Sequence, residues 1–115
     1  VHPYKRSDRV GHLIQHEVSD IILNRVKDPR IGFVTITGVE LTPDLRHARI
    51  FVSILRPEDR APSMEAIESA RGFIRQELGR RVKIRFLPEI EFRLDTTAEY
   101  GDHIERLLGK TREKP

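Results

Sequence analysis

The sequence predicts an α+β domain in which helices cover one face of a three-stranded sheet. Three observations carry this expectation: an apolar stripe at helical spacing near the N-terminus, two β-branched runs separated by a turn-rich stretch, and a long amphipathic segment followed by a short, strictly alternating one. At 115 residues the chain suits a single core that buries roughly two thirds of its unfolded surface. No internal repeat or linker divides it, so we expect a basic tail over 1–6, one domain over 7–109 and a second tail over 110–115.

From Ser7 or Asp8, read as a helix cap, Val10, Leu13, Ile14, Val18, Ile21 and Ile22 form one apolar stripe, with Arg9, His12, His16 and Ser19 on the other side. The result is a helix of about five turns. Asp28-Pro29-Arg30 ends it, because the residue before a proline is pushed out of the helical region. Phe33 to Thr37 and Ala48 to Leu55 are rich in β-branched and aromatic residues, and Thr42-Pro43-Asp44 between them makes an antiparallel hairpin. In the second strand Ala48, Ile50, Val52 and Ile54 share one face.

Arg56 to Pro62 reads as a polar loop, and Ser63 as the N-cap of the amphipathic segment Met64 to Phe86. Ile67, Ala70, Ile74, Leu78 and Val82 keep a helical face through that segment. Ser69, Ala70, Arg71 and Gly72 interrupt it, since a glycine inside a helix costs about 1 kcal/mol relative to alanine. We therefore expect a helix that bends there. Glu89 to Leu94 alternates polar and apolar as a half-buried strand does, with Pro88 near its start. Thr97 to Gly109 is expected to form a short helix with Ile104, Leu107 and Leu108 on one side.

Composition narrows the function. With no cysteine, a disulfide framework and a thiolate metal site are excluded. No apolar run reaches the roughly 18 residues of a membrane helix, and no secretory signal is read at the N-terminus, so a cytoplasmic protein with no membrane partner is expected. The net charge is only +3, but its sign is segregated. Arg71, Arg75, Arg80, Arg81, Lys83 and Arg85 stand against Glu77 alone, whereas Glu89, Glu91, Asp95, Glu99, Asp102 and Glu105 stand against Arg93 alone. Clustered cations of this kind point to nucleic acid.

Signals for catalysis are weak beside this. His12 and His16 have a spacing that suits two metal ligands, but no third ligand and no H-E-x-x-H pattern accompany them. Asp44 with His47, and Asp20 with His16, pair acid with imidazole without a nucleophile motif nearby. Glu89 and Glu91 share a strand face that reads as solvated. Neither phosphate-binding glycine loop is present. We expect no enzyme, no cofactor, no metal and no small-molecule substrate. Tyr4, Phe33, Phe51 and Tyr100 are the aromatics considered for base stacking, and they are sparse enough that phosphate contacts should dominate.

The order helix, strand, strand, helix, strand with a basic second helical region resembles a type II KH domain, but no two glycines stand three apart, so the G-x-x-G loop of such domains is missing. In its place stands Ser69-Ala70-Arg71-Gly72, which resembles the helix-kink-helix of the bacterial ribosome-binding factor A family. Further segments resemble that family in order: Lys27 to Arg30, Val34 to Glu40, Asp44 to Ala48, Phe51 to Ser53, Gly72 to Arg75, Leu78 to Arg81, Pro88 to Phe92, and Leu94-Asp95. The resemblance spans Arg9 to Leu108.

The resemblance implies a noncatalytic factor that binds the immature small ribosomal subunit and its ribosomal RNA and assists late RNA processing, especially in the cold. A monomer is expected. A general KH-like single-stranded RNA-binding module without ribosomal specificity is the alternative. The residues expected to meet phosphates are Lys5, Arg6, Arg9, Arg71, Arg75, Arg80, Arg81, Lys83 and Arg85. Gly72, with small Ala70, either admits a close RNA backbone or only lets the helix bend.

Overall fold

A computed structural model of the chain describes residues 6–96, leaving aside the side chains of Arg6 and Ser7. The segment Thr97 to Gly109 with Ile104, Leu107 and Leu108, both predicted tails apart from Arg6, and Tyr4 and Tyr100 lie outside the described residues. Three helices and a three-stranded mixed sheet follow in the order α1 (Arg6–Asn24), β1 (Val34–Leu41), β2 (His47–Ile54), a 3-10 turn (Pro57–Asp59), α2 (Arg60–Ser69), α3 (Arg71–Arg81) and β3 (Glu89–Leu94). The sheet order is β1-β2-β3, with β1 antiparallel and β3 parallel to β2.

One face of the sheet is apolar because the alternation dictates it. Ile36, Ile50, Val52, Ile54, Ile90 and Phe92 point inward and meet Ile14, Val18 and Ile21 of α1, Ile67 of α2, and Ile74 and Leu78 of α3 in one core. The outward positions Thr35, Arg49, Glu89, Glu91 and Arg93 are exposed. Helices thus cover one face, as the sequence predicts. Leu13 departs from the predicted stripe and is 44% exposed.

β1 runs past Thr37, where the sequence pattern ends it, because a bulge changes its phase. Ile36 pairs with Val52 and Gly38 with Phe51, so Thr37 is the extra residue. Before the bulge Val34 and Ile36 face the core; after it Val39 and Leu41 do. Gln15 of α1 donates its side-chain amide to the Ile36 carbonyl at 3.1 Å, supplying a partner where the ladder is disturbed.

α1 stops at Asn24, short of the proline expected to end it. The amides of Arg25 and Val26 both donate to the Ile21 carbonyl, and a separate turn follows. In that turn the Ile31 amide donates to the Asp28 carbonyl at 3.1 Å, and the Asp28 carboxylate accepts the Arg30 amide at 3.0 Å. Pro29 occupies the turn position its fixed φ favours. At the other end the helix begins at Arg6, so Ser7 and Asp8 fall inside its first turn instead of capping it.

Ser63 is likewise no N-cap. α2 begins at Arg60, where Pro62 is tolerated because first-turn amides lack helical acceptors. Ser63 is fully buried; its hydroxyl donates to the Arg30 carbonyl at 3.1 Å and accepts the Gly32 amide at 3.0 Å. A Cβ on Gly32 would sit 2.8 Å from the Asp59 carboxylate and 3.2 Å from the Asp59 Cβ, so a side chain there would oblige Asp59 at the α2 entry to shift.

α1 and α3 pack antiparallel, and their shared edge is ionic. Arg81 reaches Glu17 at 3.3 Å and also bonds Asp20, while Glu77, 7% exposed, lies 3.9 Å from Arg25 and 3.2 Å from Arg80. The bond from Arg81, and then that from Asn24, holds the Asp20 carboxyl below the usual aspartate range. The same bond raises the Arg81 guanidinium. α3 closes at Arg81, and Val82 is already extended, so the predicted helix to Phe86 is shorter by its last turn.

Two measurements check these contacts. Ser63→Ala removes the partner of two backbone groups in part-buried bonds and should lower unfolding free energy by about 1 kcal/mol in chemical denaturation, with the denaturant slope unchanged. A carboxyl with a depressed folded pKa contributes stability above its ordinary value and loses it as pH falls through the folded one. The thermal midpoint should therefore drop on acidification below about pH 4, and Asp20→Asn should flatten that drop.

Candidate nucleic-acid interface

The cations singled out in the sequence divide into those held internally and those presented to solvent. Arg75 is held: its guanidinium donates to the Pro88 and Leu87 carbonyls, each at 3.0 Å, and lies 3.4 Å from Glu89. It ties α3 to the connector before β3. Arg81 is held between α1 and α3 by Glu17, Asp20 and Glu77. Arg80 keeps 68% of its side chain exposed beside Glu77.

Arg71 opens α3 and is 53% exposed, with Glu68 3.8 Å away. Arg9 is exposed on α1, and Lys83 and Arg85 are exposed on the connector. Among the described residues neither Lys83 nor Arg85 has a carboxylate within 4.0 Å. Lys5 lies outside the described residues, and Arg6 is placed only as the first residue of α1.

The bend falls at Ala70, which ends α2 and precedes α3 with φ −90° and ψ 2°. Its amide donates to the Ala66 and Ile67 carbonyls at 3.0 and 3.1 Å, and its own carbonyl accepts the Ile74 amide at 2.9 Å. Hydrogen bonding therefore continues through the bend. Ser69 returns its hydroxyl to the Glu65 carbonyl at 2.9 Å, a local bond of the kind that loosens a helix end. Gly72 is exposed; an added Cβ there would meet nothing within 4 Å, and its φ is not positive. Neither backbone conformation nor internal packing demands glycine at this position.

A second focus carries little signal of its own in the sequence. Phe86 is 60% exposed, and its ring carries the Arg85 guanidinium carbon 5.4 Å and the Arg46 guanidinium carbon 5.7 Å from its centroid. Each such contact is worth about 0.5–1 kcal/mol at an exposed site. Arg46 is aimed by a built turn. The Asp44 carboxylate accepts the Thr42 hydroxyl at 2.5 Å and the Arg46 amide at 3.0 Å, which lowers the Asp44 pKa. Leu45 is the single non-glycine residue with positive φ among the described residues, at 61°.

The Arg46 carbonyl then accepts the Glu89 amide at 2.8 Å, fastening this turn to the start of β3. Val10, Leu45, Ile84 and Pro88 line a cleft of about 160 Å³ beside Phe86. The α1 turn that carries Arg9, the β1–β2 turn and the α3–β3 connector thus meet at one place. The clue available in the sequence is the Arg85-Phe86 pair at the end of the cationic run.

The other candidates are engaged elsewhere. The His16 side chain is 81% exposed and lies 4.0 Å from Glu17. Among the described residues no three metal-ligating side chains converge. Asp44 belongs to its turn, Glu89 faces Arg75, and Glu91 accepts from Arg93 at 2.6 Å, a bond that lowers the Glu91 pKa. Phe51 is half-buried, and Phe33 is 68% exposed at the opposite end of β1 from the turn. No helix of the described residues is long and apolar enough to cross a membrane.

Comparison with known proteins adds four findings. The family model described as "Ribosome-binding factor A" matches residues 6–108. A ribosome-binding factor A of Halothermothrix orenii is 50% identical over 111 residues, covering 96% of this chain and 91% of the relative. The crystal structure of ribosome-binding factor A from Thermus thermophilus superposes with a TM-score of 0.69 at 25% identity, covering 79% of this chain and 97% of that one. A homology model of the Thermus thermophilus protein, fitted into the cryo-EM map of its 30S complex, superposes with a TM-score of 0.67 at 25% identity and the same coverage.

Proposed function

Because the chain belongs to the ribosome-binding factor A family, we propose that it is an assembly factor that binds the immature small ribosomal subunit and assists the late processing of its RNA. The observation that carries this reading is the family match over residues 6–108, joined to the Thermus relative fitted into a 30S complex. We read the role as noncatalytic, exercised by a monomer in the cytoplasm and most needed in the cold. A general RNA-binding module without ribosomal specificity has no comparable observation behind it.

The geometry gives the proposal a division of labour. Arg9, Arg71, Arg80, Lys83 and Arg85, with Lys5 and Arg6 ahead of Arg9 in the sequence, are the cations offered to phosphates. Arg75 and Arg81 keep α3, the connector and α1 in register, so the exposed cations hold fixed relative positions. At the bend, open space over Gly72 next to Arg71 favours the close approach of an RNA backbone over a purely structural glycine.

Three experiments test this. The protein should co-sediment with assembling small subunits and not with mature translating ribosomes; recovery only in the soluble pool would overturn the assignment. If about four to six phosphates are neutralised, log affinity should fall with log salt at a slope of roughly −3 to −4, and a flat response would contradict the electrostatic contact. Gly72→Ala should leave the fold intact and raise helix stability by up to about 1 kcal/mol while weakening subunit binding; undiminished binding would return Gly72 to a merely permissive role.

A further inference from the structure

We propose that Phe86, flanked by Arg46 and Arg85, is a stacking site for one unpaired nucleobase of the bound RNA. The inference rests on the ribosomal-RNA reading above and deepens it, because it assigns recognition of a base to a surface otherwise argued to meet phosphates. An aromatic ring that is 60% exposed, on a chain with only five phenylalanines, is held on the protein surface and not in the core. Two guanidinium groups at 5.4 and 5.7 Å orient against it, one from its own neighbour and one from a turn far away in sequence.

That turn is built. Asp44 is bonded to Thr42 and to the Arg46 amide, Leu45 takes a left-handed backbone, and the Arg46 carbonyl is bonded to the Glu89 amide. Backbone strain in a non-glycine residue survives where the surroundings hold it, and such positions gather at binding sites. The cleft beside the ring, about 160 Å³, is smaller than the roughly 300–1,000 Å³ of ordinary small-molecule sites, which suits a single ring entering from a chain that continues outside.

Charge selects the class of partner. Arg46 and Arg85 set two positive charges over the ring against one carboxylate lining the cleft, Asp44, which is bonded to Thr42 and the Arg46 amide, and no carboxylate lies within 4.0 Å of Arg85 among the described residues. An aromatic ring with guanidinium groups over it is a combination on which unstacked bases of single-stranded RNA settle, the base stacking on a guanidinium plane or taking its place on the ring while the displaced cation meets the adjoining phosphate.

The test uses substitution of the ring. Phe86→Leu keeps an apolar side chain at an exposed position and should stay folded, with a melting temperature lower by only several degrees through the two lost cation–π contacts. It should bind assembling small subunits about tenfold or more weakly, with an unchanged salt slope because no charge is removed. Phe86→Trp should bind as wild type does, and since the chain contains no tryptophan, its emission reports the site alone. A short single-stranded oligoadenylate should quench that emission. Equal subunit binding by Phe86→Leu, or a Trp signal that isolated RNA leaves unchanged and only subunit proteins alter, would overturn the stacking site. If wild-type protein itself fails to bind subunits, the functional reading falls instead.

Discussion

The parallel pairing of β3 with β2 is the constraint from which most of this structure follows. An antiparallel neighbour would need only a tight turn, but a parallel one obliges the chain to return the length of the sheet, over residues 55–88, before it can pair again. The 10 residues of α2 and 11 of α3 would extend roughly 32 Å if they formed one straight helix, longer than the ~27 Å of an 8-residue strand. A bend at Ala70 lets Ile67, Ile74 and Leu78 all reach the inner face of the sheet. Arg75 completes the return by holding the carbonyls of Leu87 and Pro88, the last residues before β3.

That crossover also decides which charges are available for function. Helices pressed against a sheet and against each other draw some cations into internal bonds, and Arg75 and Arg81 are the two so drawn. The cations beyond the end of α3, Lys83 and Arg85, lie exposed on the connector to β3. The connector in turn runs beside the β1–β2 turn, because the Glu89 amide is bonded to Arg46. Segments remote in sequence therefore meet around Phe86 through the register of the sheet, without an element of their own. Anchored neighbours keep the exposed cations at fixed spacing, which on the proposed RNA-binding reading would favour one RNA arrangement over general attraction to polyanions.

Much of the fold was legible because periodicity reports burial. The inward residues of α1, β2 and β3 follow from spacing, apart from exposed Leu13, and the interruption at Ser69 to Gly72 from the cost of a glycine inside a helix. The second half of β1 was not legible, since the bulge at Thr37 exchanges the inward and outward sets and breaks the alternation that marks a strand. Ser63 reads as a cap locally, yet its partners Arg30 and Gly32 lie more than thirty residues away and only the tertiary structure supplies them. The cationic segment is visible as a group, but spacing could not tell which cations find carboxylates or carbonyls across the fold. Phe86 was hidden for the same reason, because its significance depends on Arg46.

The central claim is that the face made by the bend, the α3–β3 connector and the β1–β2 turn meets ribosomal RNA in the assembling small subunit. Photochemical crosslinking of the protein to RNA within isolated assembling subunits, followed by identification of the crosslinked peptides, tests it most directly. The account predicts crosslinks within residues 70–86 and at the turn carrying Arg46, all to ribosomal RNA of the small subunit. Crosslinks confined to the outer face of the sheet, around Arg49, Glu91 and Arg93, would contradict it.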